Sequence, residues 1–192
     1  MKRLVFAKEK EEKERRRHKW MAIIIGVIMA LSSAGFALNF VNTETFSYHG
    51  LKFYQTEKGW QPKGMSIFTT YLPQDVENIT SSGAINYQDF NSKVYLTALP
   101  YMRNGALEFL QNVPVQSLQQ ACLPRYENEQ FCSDLPTKSC EDANAQNVVF
   151  ILDEANETSI AYSNYCLEIK GPGEDLTKAI DKALFQAYGI IN

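Results

Sequence analysis

The rhythm of apolar and polar positions changes character along the chain, and each rhythm predicts a different kind of element. From Met21 to Phe40 there is no rhythm: twenty consecutive residues carry no charge and are rich in Ile, Ala, Val and Leu. Twenty helical residues rise about 30 Å, the thickness of a bilayer's hydrocarbon core. Ser32 and Ser33 are tolerated there because their hydroxyls bond back to helix carbonyls, and Trp20 stands where an interfacial aromatic would. The pattern therefore predicts a transmembrane helix over residues 20–41.

Beyond it the apolar positions recur with a period of two, the signature of half-buried strands. Phe46-Ser47-Tyr48, His49-Gly50 and Leu51-Lys52-Phe53 predict a tight hairpin, and Lys58-Gly59 a further turn before Trp60. Alternation from Met65 to Tyr71, closed by Pro73, predicts a strand, and Lys93–Leu99, closed by Pro100, another. Residues 74–92 are polar and read as irregular around a short piece at Val76–Ile79. Asn104-Gly105 can cap a short helix carrying Ala106, Leu107, Leu110 and Val113 and stopped by Pro114. With a strand over Val115–Leu123 this makes a β-α-β crossover from Lys93 to Leu123. Pro124–Asn147 is a polar loop. Val148–Leu152 reads as a buried strand and Asp153–Ser159 as a turn. Ile160–Tyr162 and Tyr165–Ile169 read as strands, with a phase break at Ser163-Asn164 that means a bulge or a second hairpin.

The period then lengthens to 3.6. Leu176, Ala179, Ile180, Ala183, Leu184, Ala187 and Tyr188 form an amphipathic helix, Gly189 sits where a left-handed cap belongs, and Ile190 can fold back on the last turn. The fold class expected is α+β: an N-terminal transmembrane helix, then a small domain with an antiparallel-rich sheet, helices on one face and a C-terminal amphipathic helix.

Charge gives these elements an orientation. Residues 1–19 hold nine basic side chains against four glutamates, a balance of +5, which leaves −8 for the rest of a chain whose total is −3. A basic cluster just before the span, with Glu44 the first charge after it, places the N-terminus in the cytoplasm and the C-terminal part across the membrane. The division expected is a basic cytoplasmic tail (1–19), a transmembrane helix (20–41) and an extracytoplasmic domain (42–192), a single-pass protein of the cell membrane. Glu9/Lys13, Glu11/Arg15 and Glu12/Arg16 lie four apart, so the tail reads as helix over Lys8–Lys19. A cleavable signal peptide is the competing reading, with Gly35-Phe36-Ala37 offering small residues. The long basic segment and long apolar run favour an uncleaved anchor.

The four cysteines Cys122, Cys132, Cys140 and Cys166 all lie in the translocated part. Their even number and wide spacing point to two disulfides rather than to zinc or a redox pair. Three pairings are open. Cys122–Cys132 with Cys140–Cys166 is favoured, because the second bridge would staple the long loop to the last strand. Asn78-Ile79-Thr80 and Asn156-Glu157-Thr158 are candidate glycosylation sites at Asn78 and Asn156.

The strand Cys166-Leu167-Glu168-Ile169-Lys170-Gly171, the helix ending Tyr188-Gly189-Ile190 and the hairpin Tyr48-His49-Gly50-Leu51-Lys52-Phe53 together resemble uncharacterised single-pass membrane-anchored proteins of small-genome archaea. The resemblance spans most of the C-terminal domain and implies architecture only.

Catalytic chemistry finds little support. His49 is the only histidine after the span and sits in a predicted turn, and no nucleophile, zinc or phosphate-loop motif is present. Carboxylates gather at Asp153, Glu154 and Glu157 and at Asp134, Glu141 and Asp142, without calcium-loop spacing. No cofactor and no metal are expected. Aromatic residues crowd residues 46–71, and Trp60 is the candidate partner contact. Gly26, Ala30 and Ala34 stand at small-x-x-x-small spacing, which permits a homodimer through the membrane helix. The expectation is a membrane-anchored extracytoplasmic binding or scaffolding module, not an enzyme, whose partners are the bilayer and another envelope or membrane protein and not nucleic acid. An extracytoplasmic hydrolase, or a subunit of a membrane complex, is the alternative.

Overall fold

The computed structural model describes residues 15–29 and 44–191, in two compact units, residues 1–44 and 45–192. In the first unit residues 15–29 are helical (α1). Its large apolar side chains, from Trp20 and Met21 through Ile23, Ile24, Ile25, Val27 and Ile28 to Met29, are all exposed. Residues 30–41 of the expected span and 1–14 of the tail lie outside the described residues, as do Ala30 and Ala34. Among the described residues no helix is long and apolar enough to cross a membrane.

The second unit opens with an antiparallel meander, β1 (Thr45–Tyr48), β2 (Leu51–Thr56) and β3 (Gly59–Pro62). The β1–β2 turn is the expected His49-Gly50, with φ of 47° and 84°. Two successive positive φ values define the turn whose twist matches a hairpin's, and only the second position is a glycine.

The strand expected over Met65–Tyr71 does not form. Only Thr69 pairs, bridging Trp60 through bonds of 2.7 and 3.0 Å. The neighbouring N–H groups are taken by side chains instead. Phe68 N donates to Asn112 Oδ1 (3.4 Å), and Thr70 N and Tyr71 N both donate to Asp181 Oδ2 (2.8 Å each). A strand needs backbone partners at every second residue, and these side chains pre-empt them. Pro73 then starts a short helix, α2 (Pro73–Val76), within the stretch expected to be irregular.

The larger sheet has six strands in the order β4-β8-β9-β7-β5-β6: β4 (Thr80–Ser82), β5 (Lys93–Ala98), β6 (Ser117–Ala121), β7 (Asn147–Glu154), β8 (Ser159–Ser163) and β9 (Cys166–Gly171). The expected crossover is present: β5, helix α3 (Arg103–Gln111) and β6 form a β-α-β unit with parallel strands. The antiparallel pairing expected resides in the meander and in the β8–β9 hairpin, where Asn164 and Tyr165 (φ 47° and 64°) make a second two-residue turn. The pairings β4–β8, β9–β7, β7–β5 and β5–β6 are parallel. The α3 crossover and the long β6–β7 connection both carry the chain from the carboxyl end of one strand back across the sheet to the end at which the next begins, which parallel pairing requires.

Helices α3 and α4 (Gly173–Ala187) cover one face of this sheet. Phe150 on β7 meets Phe109 on α3 at 5.2 Å between ring centroids, and Val94, Leu96, Leu167 and Ile169 complete the layer against Ala179, Ile180, Ala183 and Leu184. Helix α3 starts one residue before Asn104, after a 3₁₀ turn at Pro100–Met102, so Asn104 and Gly105 lie in its first turn rather than capping it. A Cβ on Gly105 would stand 3.0 Å from Ile180 Cδ1, so a larger residue there would require that side chain to shift. On the opposite face Val149, Ile151 and Cys166 pack with Tyr95, Leu123 and Ala143 under the cysteine loop. Cys122 is bonded to Cys132 and Cys140 to Cys166, the pairing favoured from the spacing.

Helix α4 is buried beyond its sheet-facing stripe. Phe185 points the other way, into a second cluster with Phe53, Leu72, Val76 and Ile191 beside the meander, and meets Phe53 edge-on at 6.1 Å. Its end is the expected cap: Gly189 has φ 67°, Gly189 N donates to Gln186 O, and Ile190 N donates to Phe185 O.

Candidate functional site

Because α4 runs between the sheet and the meander, residues 179–185 are buried without interruption, and polar side chains in that stretch need partners. Two consecutive residues meet the demand in opposite ways. Lys182 donates from Nζ to the carbonyls of Glu77 (2.9 Å) and Ile79 (2.5 Å), closing the chain that leaves α2. Burial holds its ammonium below the usual lysine range, against the pull of Glu77. Asp181, 5% exposed, receives the N–H groups of Thr70 and Tyr71 on one oxygen, Oδ2. Among the described residues no donor reaches Oδ1 and no basic side chain pairs with the carboxylate.

Asp181 lines a groove of about 330 Å³ between the 58–70 segment, α3 and α4, with Lys58, Ser66, Phe68, Glu108 and Asn112 around it. Burial pushes the Asp181 carboxyl up to about 7, only partly opposed by the bonds from Tyr71 and Thr70, and the charge of Glu108 raises it further. The group therefore changes protonation near neutral pH. With Oδ2 occupied by the backbone, the change is felt at Oδ1.

The groove is held rigidly on the α3 side by Asn112, at the end of that helix. Its Nδ2 donates to Glu108 O (2.7 Å), its Oδ1 accepts from Phe68 N, and its carbonyl accepts the Tyr188 hydroxyl (2.6 Å). Three chain segments, the 65–72 stretch, α3 and the end of α4, are thereby joined at one residue. Lys58, from the β2–β3 turn, lays its ammonium over the Phe68 ring at 5.5 Å.

The carboxyl ends of parallel strands are the usual ligand-binding edge of an open α/β sheet. Here that edge is filled. Tyr126 and Phe131, from the loop between Cys122 and Cys132, reduce the space beside Thr97, Ala121 and Leu152 to about 10 Å³, too little for more than one water. Asp153, at the end of β7 and 2% exposed, is ion-paired with Arg125 and accepts from Tyr126 Oη (3.4 Å).

The residues singled out from the sequence lie elsewhere. His49 is exposed in the β1–β2 turn and is not part of the groove. Trp60, the candidate partner contact, lies in β3 and is half-buried against the second cluster. Asn78 and Asn156 are both exposed in connecting segments. Of the acidic stretches, Asp153 is paired as described. Asp142 caps a 3₁₀ turn through Ser139 N (2.8 Å), and that bond, with Lys138, holds its carboxyl below the usual range. Asp181 escaped the sequence reading because it sits beside the apolar stripe of α4. The signal was the neighbouring Phe185, a large apolar residue off that stripe, which marks the helix as buried on a second side.

The chain's comparisons with protein families, with curated proteins and with solved structures find no match.

Proposed function

We propose that the chain is a single-pass membrane-anchored protein whose extracytoplasmic domain is a binding module, with the α3–α4 groove as its ligand site. The anchor reading is supported by the uncharged, predominantly apolar sequence from Met21 to Phe40 and by the exposed apolar side chains of α1. Two disulfides and no free cysteine fit an oxidising compartment. The observation that carries the binding reading is the groove itself, a concave space lined by convergent polar groups, one of them a buried carboxyl with a vacant acceptor.

The test has two parts. Alkaline extraction of membranes should leave the chain in the pellet, and protease added outside should digest residues 45–192 while sparing the tail; release into the supernatant sinks the anchor. A fragment screen by NMR should then perturb Phe68, Thr70 and Asn112 amides, and Ser66→Trp, which fills the groove from its exposed lip, should abolish those perturbations. Fragments that bind equally well to the Trp variant would move the site elsewhere.

The runner-up is an extracytoplasmic hydrolase. One observation favours it: two carboxylates, Asp181 and Glu108, line the same groove, and one titrates near neutral pH as a general acid must. It predicts turnover of some ester, amide or glycoside that falls at least a hundredfold in both Asp181→Asn and Glu108→Gln, an order taken from general acid–base catalysis.

A further inference from the structure

Resting on the groove reading above, we infer that the ligand presents a cationic nitrogen, an alkylammonium or a guanidinium, which docks on Asp181 Oδ1 with Glu108 across the groove. The groups around the carboxylate decide what can meet it. From its own helix, Lys182 turns away to the carbonyls of Glu77 and Ile79, and Lys178 pairs with Asp175 (3.2 Å) and stands over the Tyr71 ring at 5.7 Å. From α3 comes Glu108, a second negative charge, and the neutral amide of Asn112. From the β2–β3 turn comes Lys58, the one cation among the groove's lining residues, which lies over Phe68 and makes no ion pair with Asp181. Two carboxylates against one engaged ammonium leave the groove short of positive charge.

Geometry narrows the chemistry further. Oδ2 is saturated by two N–H donors, so whatever meets Oδ1 of the ionised carboxylate must itself donate. An anionic ligand would face two carboxylates. A neutral hydroxyl could donate, but it would leave the buried charge uncompensated. A cation donates and compensates together. The Phe68 ring already accepts an ammonium on its face, so the same wall suits the alkyl stem and charge of such a ligand. The domain after the span carries the −8 noted above, which would draw a cationic ligand toward it.

The experiment is an NMR titration of the full chain in non-ionic maltoside micelles, reading the Thr70 and Tyr71 amides, whose protons lie on Asp181. The probes are n-butylamine and butylguanidine, with butyrate and 1-butanol as charge controls. The amine and guanidine should move both amides, and should bind at least about tenfold more weakly at pH 5 than at pH 8, because a protonated Asp181 no longer attracts them. Asp181→Asn keeps an acceptor for both N–H groups and should retain the native amide pattern while losing at least about tenfold in affinity at pH 8. Unchanged affinity in that variant overturns the inference, as does a lack of pH dependence. Butyrate or butanol moving the two amides as strongly as the amine also overturns it, but leaves the groove reading standing. If no probe moves them, both fall.

Discussion

Asp153 and Asp181 are both buried, 2% and 5% exposed, yet the chain treats them differently. Asp153 closes the end of β7 with a cation of its own, Arg125, a hydroxyl from Tyr126 and the N–H of Glu154 at 3.0 Å. Asp181 has main-chain dipoles only, two N–H groups on one oxygen, and a groove in front of the other. In the first case charge is met by charge and the space around it is filled. In the second, compensation is partial, the proton stays exchangeable near pH 7, and the remaining acceptor faces a cavity. The contrast separates a carboxylate that organises structure from one that is chemically available.

The largest break in that comparison should come from Asp181→Asn. The folded-state pKa of about 7 lies above the unfolded 3.8, so the native state holds the proton more tightly. Its stabilising share is complete below about pH 4 and is lost as pH rises through 7. The wild type should therefore lose stability over that window, and the Asn variant should remove this component, ending up to about 4 kcal/mol more stable than wild type at pH 8. Urea unfolding at pH 5 and pH 8 with disulfides intact measures this, and identical pH slopes in the two proteins would refute it. Replacing Cys122 and Cys132 with serine acts at the other aspartate. It should cost roughly 2–3 kcal/mol through the freed loop, and it should leave the titration of the Thr70 amide unchanged, because that loop does not touch the groove. Arg125→Met should cost about 1–2 kcal/mol, since Asp153 stays buried without its cation, although the arginine itself is half exposed. Smallest of all, Tyr101→Phe removes an exposed bond of 2.9 Å to Glu154 and should change stability by less than about 0.5 kcal/mol.

Elements whose periodicity comes from one buried face were readable in advance. The stripe Leu176 to Leu184, the crossover from Lys93 to Leu123 and the hairpin at His49-Gly50 each state a local rule that the tertiary structure does not override. The 65–71 stretch shows where that logic ends. Its alternation is real, with Ile67 and Thr69 inward, but its N–H groups are claimed by Asp181, more than a hundred residues later in the chain, and by Asn112. The parallel direction of the larger sheet was legible only at β5–β6, where a short helix shows the crossover; β7 arrives after a long cysteine loop that carries no directional signal. The groove was invisible for the same reason. Lys58, Phe68, Glu108 and Asp181 come from four separate segments, and no spacing in sequence links them.

The strand order also dictates a schedule for the thiols during synthesis. Cys122 and Cys132 are separated by 10 residues and can join while the chain is still being made. The partner of Cys140 lies 26 residues further on, in a strand that must slot between β7 and β8. Until residue 166 has been made, Cys140 has no native partner, and a free thiolate can exchange with an existing bridge such as Cys122–Cys132. Correct pairing thus depends on the late hairpin arriving before exchange does, and a chain stalled after β7 would accumulate scrambled bridges among its first three cysteines.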